Sequence, residues 1–227
     1  MAIGRTVPAA YRPGSVRHHH PLQVFWAICL LVGLFLLGSF AYGTWKGVSE
    51  QQRLNQVWNG AVYPRTSGAK TIDPSLQKPI DGIDFAIQIP KLGYTAAVKE
   101  GVDSGVLYSG PGHYPTSMWP GNPGTVGVAA HNVYWINFPQ LVKGDEVDIQ
   151  TRYGLYRYRV TGSEIVSPND RTVLVPSADG YHLTLTTCWP LWAGAFATKR
   201  YVIFATQAWP VPERPGYSAR PVQTSGP

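Results

Sequence analysis

From Pro21 to Trp45 the chain contains no Asp, Glu, Lys or Arg, and Leu, Val, Phe, Ile and Trp dominate. No other segment limits the architecture so strongly. A helix needs about 20 apolar residues to cross the hydrocarbon core of a bilayer. This run supplies them, with Trp26 near one end and Tyr42 and Trp45 near the other, where interfacial aromatics belong. The preceding tail carries Arg5, Arg12 and Arg17 and no acid, whereas Lys46 is soon followed by Glu50. Basic residues in excess stay on the cytoplasmic side. The expected topology is therefore a single pass through the plasma membrane, N-terminus cytoplasmic and the long C-terminal part outside. A cleaved signal peptide is the rival reading, but its apolar region normally spans about 7–15 residues and ends in a small-residue cleavage site. This run is longer, and Ser39-Phe-Ala41 is a poor site. His18, His19 and His20, beside the membrane entry, read as a polar flank rather than a metal site.

The remaining length suits one domain with tethers. The expected division is a basic cytoplasmic tail over 1–20, the transmembrane anchor over 21–45, a stalk over 46–80, a folded domain over 81–207 and a disordered Pro-rich tail over 208–227. The stalk mixes Gln, Asn, Ser, Gly and Pro without a sustained period, with room for one short helix around Glu50 to Trp58. The formal charge of +6 comes partly from the N-terminal arginines. No basic run interleaved with aromatics follows the anchor, so nucleic acid is not an expected partner.

Within the folded part the pattern is β-rich. Phe85, Ile87 and Ile89 alternate with Ala86 and Gln88; Val147 and Ile149 alternate with Asp148 and Gln150; Tyr156, Tyr158 and Val160 alternate with Arg157, Arg159 and Thr161. Such period-two runs are half-buried strands. Arg152-Tyr-Gly154 supplies the hairpin between the last two of them. Tyr181 to Thr187 and Tyr201 to Thr206 are further strands, and a helix fits only around Val102 to Tyr108. Many short strands with Gly and Pro between them indicate a barrel or sandwich.

Two cysteines remain to be explained. Cys29 lies inside the apolar run and Cys188 ends the strand that begins at Tyr181, so they occupy different compartments and cannot pair. An unpaired thiol outside the membrane is an oxidation liability. Either it is buried and inert or it is a nucleophile. A nucleophilic cysteine needs a partner that favours its thiolate, commonly histidine. Three histidines follow the anchor. His182 is six residues from Cys188 on one strand, about 20 Å away at the extended rise, and is excluded as a direct partner. His113 lies in Ser109-Gly-Pro-Gly-His-Tyr-Pro115, where turn chemistry accounts for it. His131 closes Thr125-Val-Gly-Val-Ala-Ala130, a run of small residues that admits close approach of another backbone or a substrate. By elimination His131 is the candidate base. Acyl transfer also needs donors for a developing oxyanion. Lys199-Arg200 opens the last strand, and alternation lets only one of the two face Cys188. Arg200, with its planar and permanently charged guanidinium, is the better suited.

Thr184-Leu-Thr-Thr-Cys188 fits the TLxTC pattern of sortases, the cysteine transpeptidases of Gram-positive cell surfaces. The resemblance extends through Gly112-His-Tyr-Pro-Thr116, Pro120-Gly-Asn-Pro-Gly124, the small-residue strand to His131, Lys143-Gly-Asp145, and Arg200 with the apolar strand after it. It covers about Asp84 to Thr206. Where sortases often have Gly before the histidine, this chain has Ala130. The resemblance implies an all-β fold, an eight-stranded β-barrel with short helices after the transmembrane helix, and no required organic cofactor. It implies that Cys188 is the nucleophile, His131 the catalytic histidine and Arg200 the substrate-positioning, oxyanion-stabilising arginine, with Thr187 near the substrate. Trp189 and Trp192 either line the groove or pack the loop after Cys188. The implied reaction cleaves a C-terminal LPxTG-like sorting signal after Thr, forms a thioester, and transfers the acyl group to an amine of a cell-wall precursor or a pilin lysine. The TLTTC-Trp-Pro segment resembles the smaller anchoring classes, such as D or E, more than pilin polymerases. Two other readings stay open: a cysteine peptidase that transfers to water, and a non-catalytic membrane-tethered β-domain with Cys188 merely buried.

Overall fold

The computed structural model describes residues 21–62, 72–174 and 179–210. The expected basic tail, and the Pro-rich tail beyond its first three residues, lie outside them. The chain divides into two compact units between Thr44 and Trp45. In the first, helix α1 begins at Pro21, a residue suited to a helix's first turn. Its most apolar stretch has a mean hydropathy of 2.4 and none of it is buried, so α1 is long and apolar enough to cross a membrane.

The second unit opens with the rest of α1, which continues to Ala61. Of the stretch expected as a stalk, residues 46–61 continue α1, which takes in the short helix allowed around Glu50 to Trp58, and 63–71 lie outside the described residues. The helix has 41 residues, about 60 Å at 1.5 Å per residue, far more than a bilayer core requires. Its buried residues are Gly47, Gln51, Leu54 and Trp58, spaced four, three and four apart and therefore on one face. Leu54 and Trp58 join the main hydrophobic cluster. That face seats against the strand β2 (Tyr94–Glu100) through side-chain amides: Asn55 Oδ1 accepts from the Ala97 N–H at 2.6 Å and Gln51 Nε2 donates to the Ala97 carbonyl at 3.2 Å. The two amides serve a strand edge that needs both a donor and an acceptor. The polar residues that made 46–61 look like a linker are those that satisfy this edge.

Eight strands form a closed barrel in the order β1-β2-β3-β4-β7-β8-β6-β5. They are β1 (Ile83–Ile89), β2, β3 (Gly112–His113), β4 (Gly124–Ala129), β5 (Glu146–Thr151), β6 (Gly154–Val166), β7 (Tyr181–Trp189) and β8 (Lys199–Trp209). Period-two alternation decides which side of each strand turns inward. Phe85 and Ile87, Val126 and Val128, Val147 and Ile149, Tyr156 and Tyr158, Leu183 and Leu185, and Tyr201 and Ile203 all enter one core. Burying each of the larger side chains contributes about 1.5–3 kcal/mol. On the outer face, Arg157 sits opposite Asp148 and donates to both its carboxylate oxygens at 2.8 and 2.9 Å; Arg159 is opposite Glu146 and reaches it at 2.9 Å. Such pairs add only about 0.2–1 kcal/mol each, enough to favour one register. Arg152-Tyr153 is the predicted hairpin tip, and Tyr153 is buried with its hydroxyl donating to the Pro120 carbonyl at 2.8 Å. The helix allowed around Val102 to Tyr108 is α2 (Ser104–Tyr108), capped by Asp103, whose carboxylate accepts from the Gly105 and Val106 N–H groups.

His113 is not the turn residue its neighbours suggested. It lies in β3, is 2% exposed, and its Nδ1 is 2.8 Å from Oδ2 of Asp84, itself 1% exposed. Nε2 faces the Met118 carbonyl at 3.1 Å and must be the donor there. Phe85 and Trp119 enclose the ring edge-on. A histidine committed on both nitrogens inside the barrel serves the fold.

Candidate active site

Strands β4 and β7 run parallel, with Ala129 opposite Thr186. Two bonds extend the contact past the last ladder pair: the Ala130 N–H donates to the Thr186 carbonyl at 3.2 Å, and the Thr187 hydroxyl donates to the Ala130 carbonyl at 2.9 Å. Continued by two residues, this register sets His131 level with Cys188. On its other side β7 is antiparallel to β8, and Cys188 lies directly opposite Arg200. Alternation fixes the faces. Val128 and Ala130, Leu185, and Tyr201 and Ile203 point into the core; His131, Cys188 and Arg200 have the opposite parity on their segments. The structure thus brings together, on the barrel's outer surface, the three residues singled out from the sequence. All three are partly exposed.

Arg200 is not committed to a carboxylate. Its Nη1 donates to the Lys199 carbonyl at 3.3 Å, and among the described residues it forms no salt bridge. Burial, and after it the Arg200 charge, holds the His131 imidazole below its ordinary pKa, since both disfavour the cationic ring. Arg200→Gln is therefore expected to raise the His131 pKa while leaving it below the ordinary histidine value, because the larger cause remains. An NMR titration of the imidazole checks this; an unchanged or lower value would show that the two groups do not couple.

The other predicted residues separate. Thr187 was expected beside the substrate, but it is 2% exposed and its hydroxyl is used on Ala130. Its side chain has core parity, opposite to Cys188, so it fastens the His131 segment to β7 from beneath. Trp189 is partly buried, packs against the core and lies 5.5 Å from the Tyr201 ring. Trp192 is 86% exposed on a short 3-10 segment, Leu191–Phe196, together with Phe196. The small-residue strand before His131 does admit close approach, but by this chain's own loops. A Cβ on Gly127 would lie 2.9 Å from Leu174 and 3.0 Å from Tyr114. Tyr114 also reaches across to Thr186, hydroxyl to hydroxyl at 3.1 Å.

A groove of about 310 Å³ lies on this outer face, lined by Thr125 of β4, His182 and Thr184 of β7, Phe204 of β8, and Glu164, Asp170 and Thr172 among others. Thr184 and Cys188 share a face of β7 about 13 Å apart at the extended rise. A second depression, at Leu155, Arg157, Arg159, Ala208 and Trp209, is nine residues along β8 from Arg200 and belongs to another part of the barrel. Sequence reasoning missed the groups that steady the His131 loop. The Asn132 amide donates to the Leu191 carbonyl, tying this loop to the one after Cys188. Trp135 is fully buried and stacks on Phe138 at 4.0 Å. Their one sequence signal is adjacency to His131, which says nothing about distant partners.

The sequence profile of the sortase domain matches residues 87–208. The chain belongs to the sortase family. It is 30% identical over 187 residues to sortase D of Bacillus subtilis (strain 168), covering 77% of this chain and 93% of that protein. Among solved structures, sortase E of Streptomyces avermitilis is 29% identical, with a TM-score of 0.50 over 57% of this chain and 90% of its own. The Clostridium perfringens sortase D5 transpeptidase, at 24% identity, shares the fold with a TM-score of 0.55 over 70% of this chain and 96% of its own. These likenesses accord with the smaller anchoring classes. Sortases are membrane-associated cysteine transpeptidases, so transpeptidation is the general activity of this chain, and α1 is its candidate span.

Proposed function

We propose that this sortase cleaves a C-terminal LPxTG-like sorting signal after Thr, with Cys188 as nucleophile, His131 as proton carrier and Arg200 as the substrate-positioning and oxyanion-stabilising group. The observation that carries the reading is the shared outer face of these three residues, with Cys188 and Arg200 in one cross-strand register pair. In the first half-reaction Cys188 Sγ attacks the Thr carbonyl carbon. The Cys188 thiol proton passes to His131, which gives it to the departing amine as the scissile C–N bond breaks, and a thioester forms. Arg200 offers N–H donors to the carbonyl oxygen while it carries negative charge. In the second, an amine attacks the thioester, its proton passes to His131, and the C–S bond breaks to release Cys188. The groove beside Thr184 and His182 suits an extended peptide bound along β7. Acceptors of the expected class are an amine of a cell-wall precursor and a pilin lysine. With the N-terminus cytoplasmic, as the arginines of the tail favour, the site works outside the cell. With nucleophile, base and charge all read as side chains of this chain, the reaction as written uses no cofactor.

The test is mass spectrometry of the products from a sorting-peptide library, incubated with the protein with and without added amines. A peptide joined through its Thr to the amine is the expected product. Hydrolysed peptide alone, at every amine concentration, would identify a cysteine peptidase. Uncleaved peptide together with an unreactive Cys188 would leave a non-catalytic β-domain.

A further inference from the structure

We propose that the juxtamembrane part of α1 is a positioning element for His131, acting through Gly47 and Tyr134. The inference rests on the reading of His131 as the proton carrier.

His131 lies just past the end of β4, where the bonds of Ala130 to Thr186 and Thr187 hold the segment on the β7 side. The turn after His131 holds it on the other. Its first bond is local, from the Tyr134 N–H to the His131 carbonyl at 3.0 Å. The Tyr134 side chain then leaves the turn and donates its hydroxyl to the Tyr108 carbonyl at the end of α2, at 2.5 Å. Gly47 of α1 closes over this bond. A Cβ built on Gly47 would lie 2.7 Å from the Tyr134 hydroxyl oxygen and 2.8 Å from the Tyr108 carbonyl oxygen, distances that side-chain carbons do not tolerate.

One helical turn further on, Gln51 fits Gly110 in the same way, since a Cβ at Gly110 would fall 1.7 Å from Gln51 Oε1. Glycine at 47 and 110 therefore allows α1 to press upon the α2 end and the Tyr134 hydroxyl together. The helix is held there independently by the Gln51 and Asn55 amides on Ala97 and by buried Leu54 and Trp58. Asn132 holds the same turn to the Leu191 carbonyl from the Cys188 side. The His131 segment is thus clamped between the loop that follows the nucleophile and the helix that leaves the apolar span. A displacement of about 1 Å at a reacting group can cost on the order of 10²-fold in rate, so a loosened clamp is expected to lower turnover without changing peptide binding.

The experiment uses the full chain in lipid nanodiscs, with a sorting peptide and an amine acceptor. Tyr134→Phe removes the hydroxyl and keeps the ring. Its kcat is expected to fall about tenfold with KM unchanged and with a Tm close to wild type. Gly47→Ala is expected to lower kcat at least as far, and the double variant to lose less than the product of the two, because the clash with the hydroxyl is gone. Gly60→Ala, on the same helix with nothing within 4 Å of the added methyl, should keep wild-type kinetics. Wild-type kcat in Tyr134→Phe, or losses in Tyr134→Phe and Gly47→Ala that simply multiply, would overturn the inference. So would a rise in KM or a fall in Tm that accounts for the lost activity. If the wild-type chain itself transfers nothing, it is the proposed reaction that fails; if it transfers and the two variants match it, only the positioning role does.

Discussion

The Cys188→Ala variant is expected to produce no acyl transfer to amine and no hydrolysis, while its stability stays within about 1–2 kcal/mol of wild type. The stability term is small because one sulfur leaves a site that is already partly exposed. The activity term is complete because no other described nucleophile shares the position opposite Arg200. Cys29 cannot substitute, since it lies in the apolar part of α1. A water-soluble thiol reagent should therefore inactivate the wild type by modifying Cys188, which peptide mapping can locate. Residual turnover in the alanine variant, measured by product mass spectrometry, would reject the assignment of the nucleophile.

Arg200→Lys should lower turnover by roughly 10²-fold although the charge is retained. A lost oxyanion donor typically costs about 2.7–4 kcal/mol, and the point charge of lysine does not reproduce the guanidinium fork. Lys199→Ala should cost less than about tenfold. Lys199 is exposed and opposite Trp189, one residue out of phase with the Cys188 face. In the same assay His131→Ala should approach the Cys188→Ala level, and the double variant should be no worse than either, since nucleophile and proton carrier act as a unit. An essential Lys199 beside a dispensable Arg200 would require a different face of β8 to be the working one.

The buried His113 marks a limit of reading residues by their neighbours. Ser109-Gly-Pro-Gly-His-Tyr-Pro115 looks like turn chemistry, and glycine and proline are indeed abundant there. The partner that gives His113 its role is Asp84, 29 positions away on β1, two strands along the barrel. No local pattern reveals a pair of that kind. The segment after the anchor misled for a related reason. Gln51 and Asn55 look like solvated linker residues until Ala97 is beside them, 46 and 42 positions along the chain.

Short-range periodicity and charge encode only part of this molecule. The charge-free run from Pro21 to Trp45 dictated a helix long enough to span a bilayer. Period-two alternation gave β1, β5 and β6 their inward faces, and Thr184-Leu-Thr-Thr-Cys188 with His131 and Arg200 carried the family and the candidate chemistry. Tertiary structure alone decided which residues meet. The parallel pairing of β4 with β7 joins segments more than fifty residues apart and brings His131 level with Cys188. Thr187, adjacent to the nucleophile in sequence, is turned inward by strand parity and serves the backbone of Ala130 instead. The docking of α1 through Gly47, Gln51, Leu54 and Trp58 likewise depends on surfaces that exist only once the barrel has closed. A strand's faces follow from its own residues, whereas its neighbours are chosen by the free energy of the whole core.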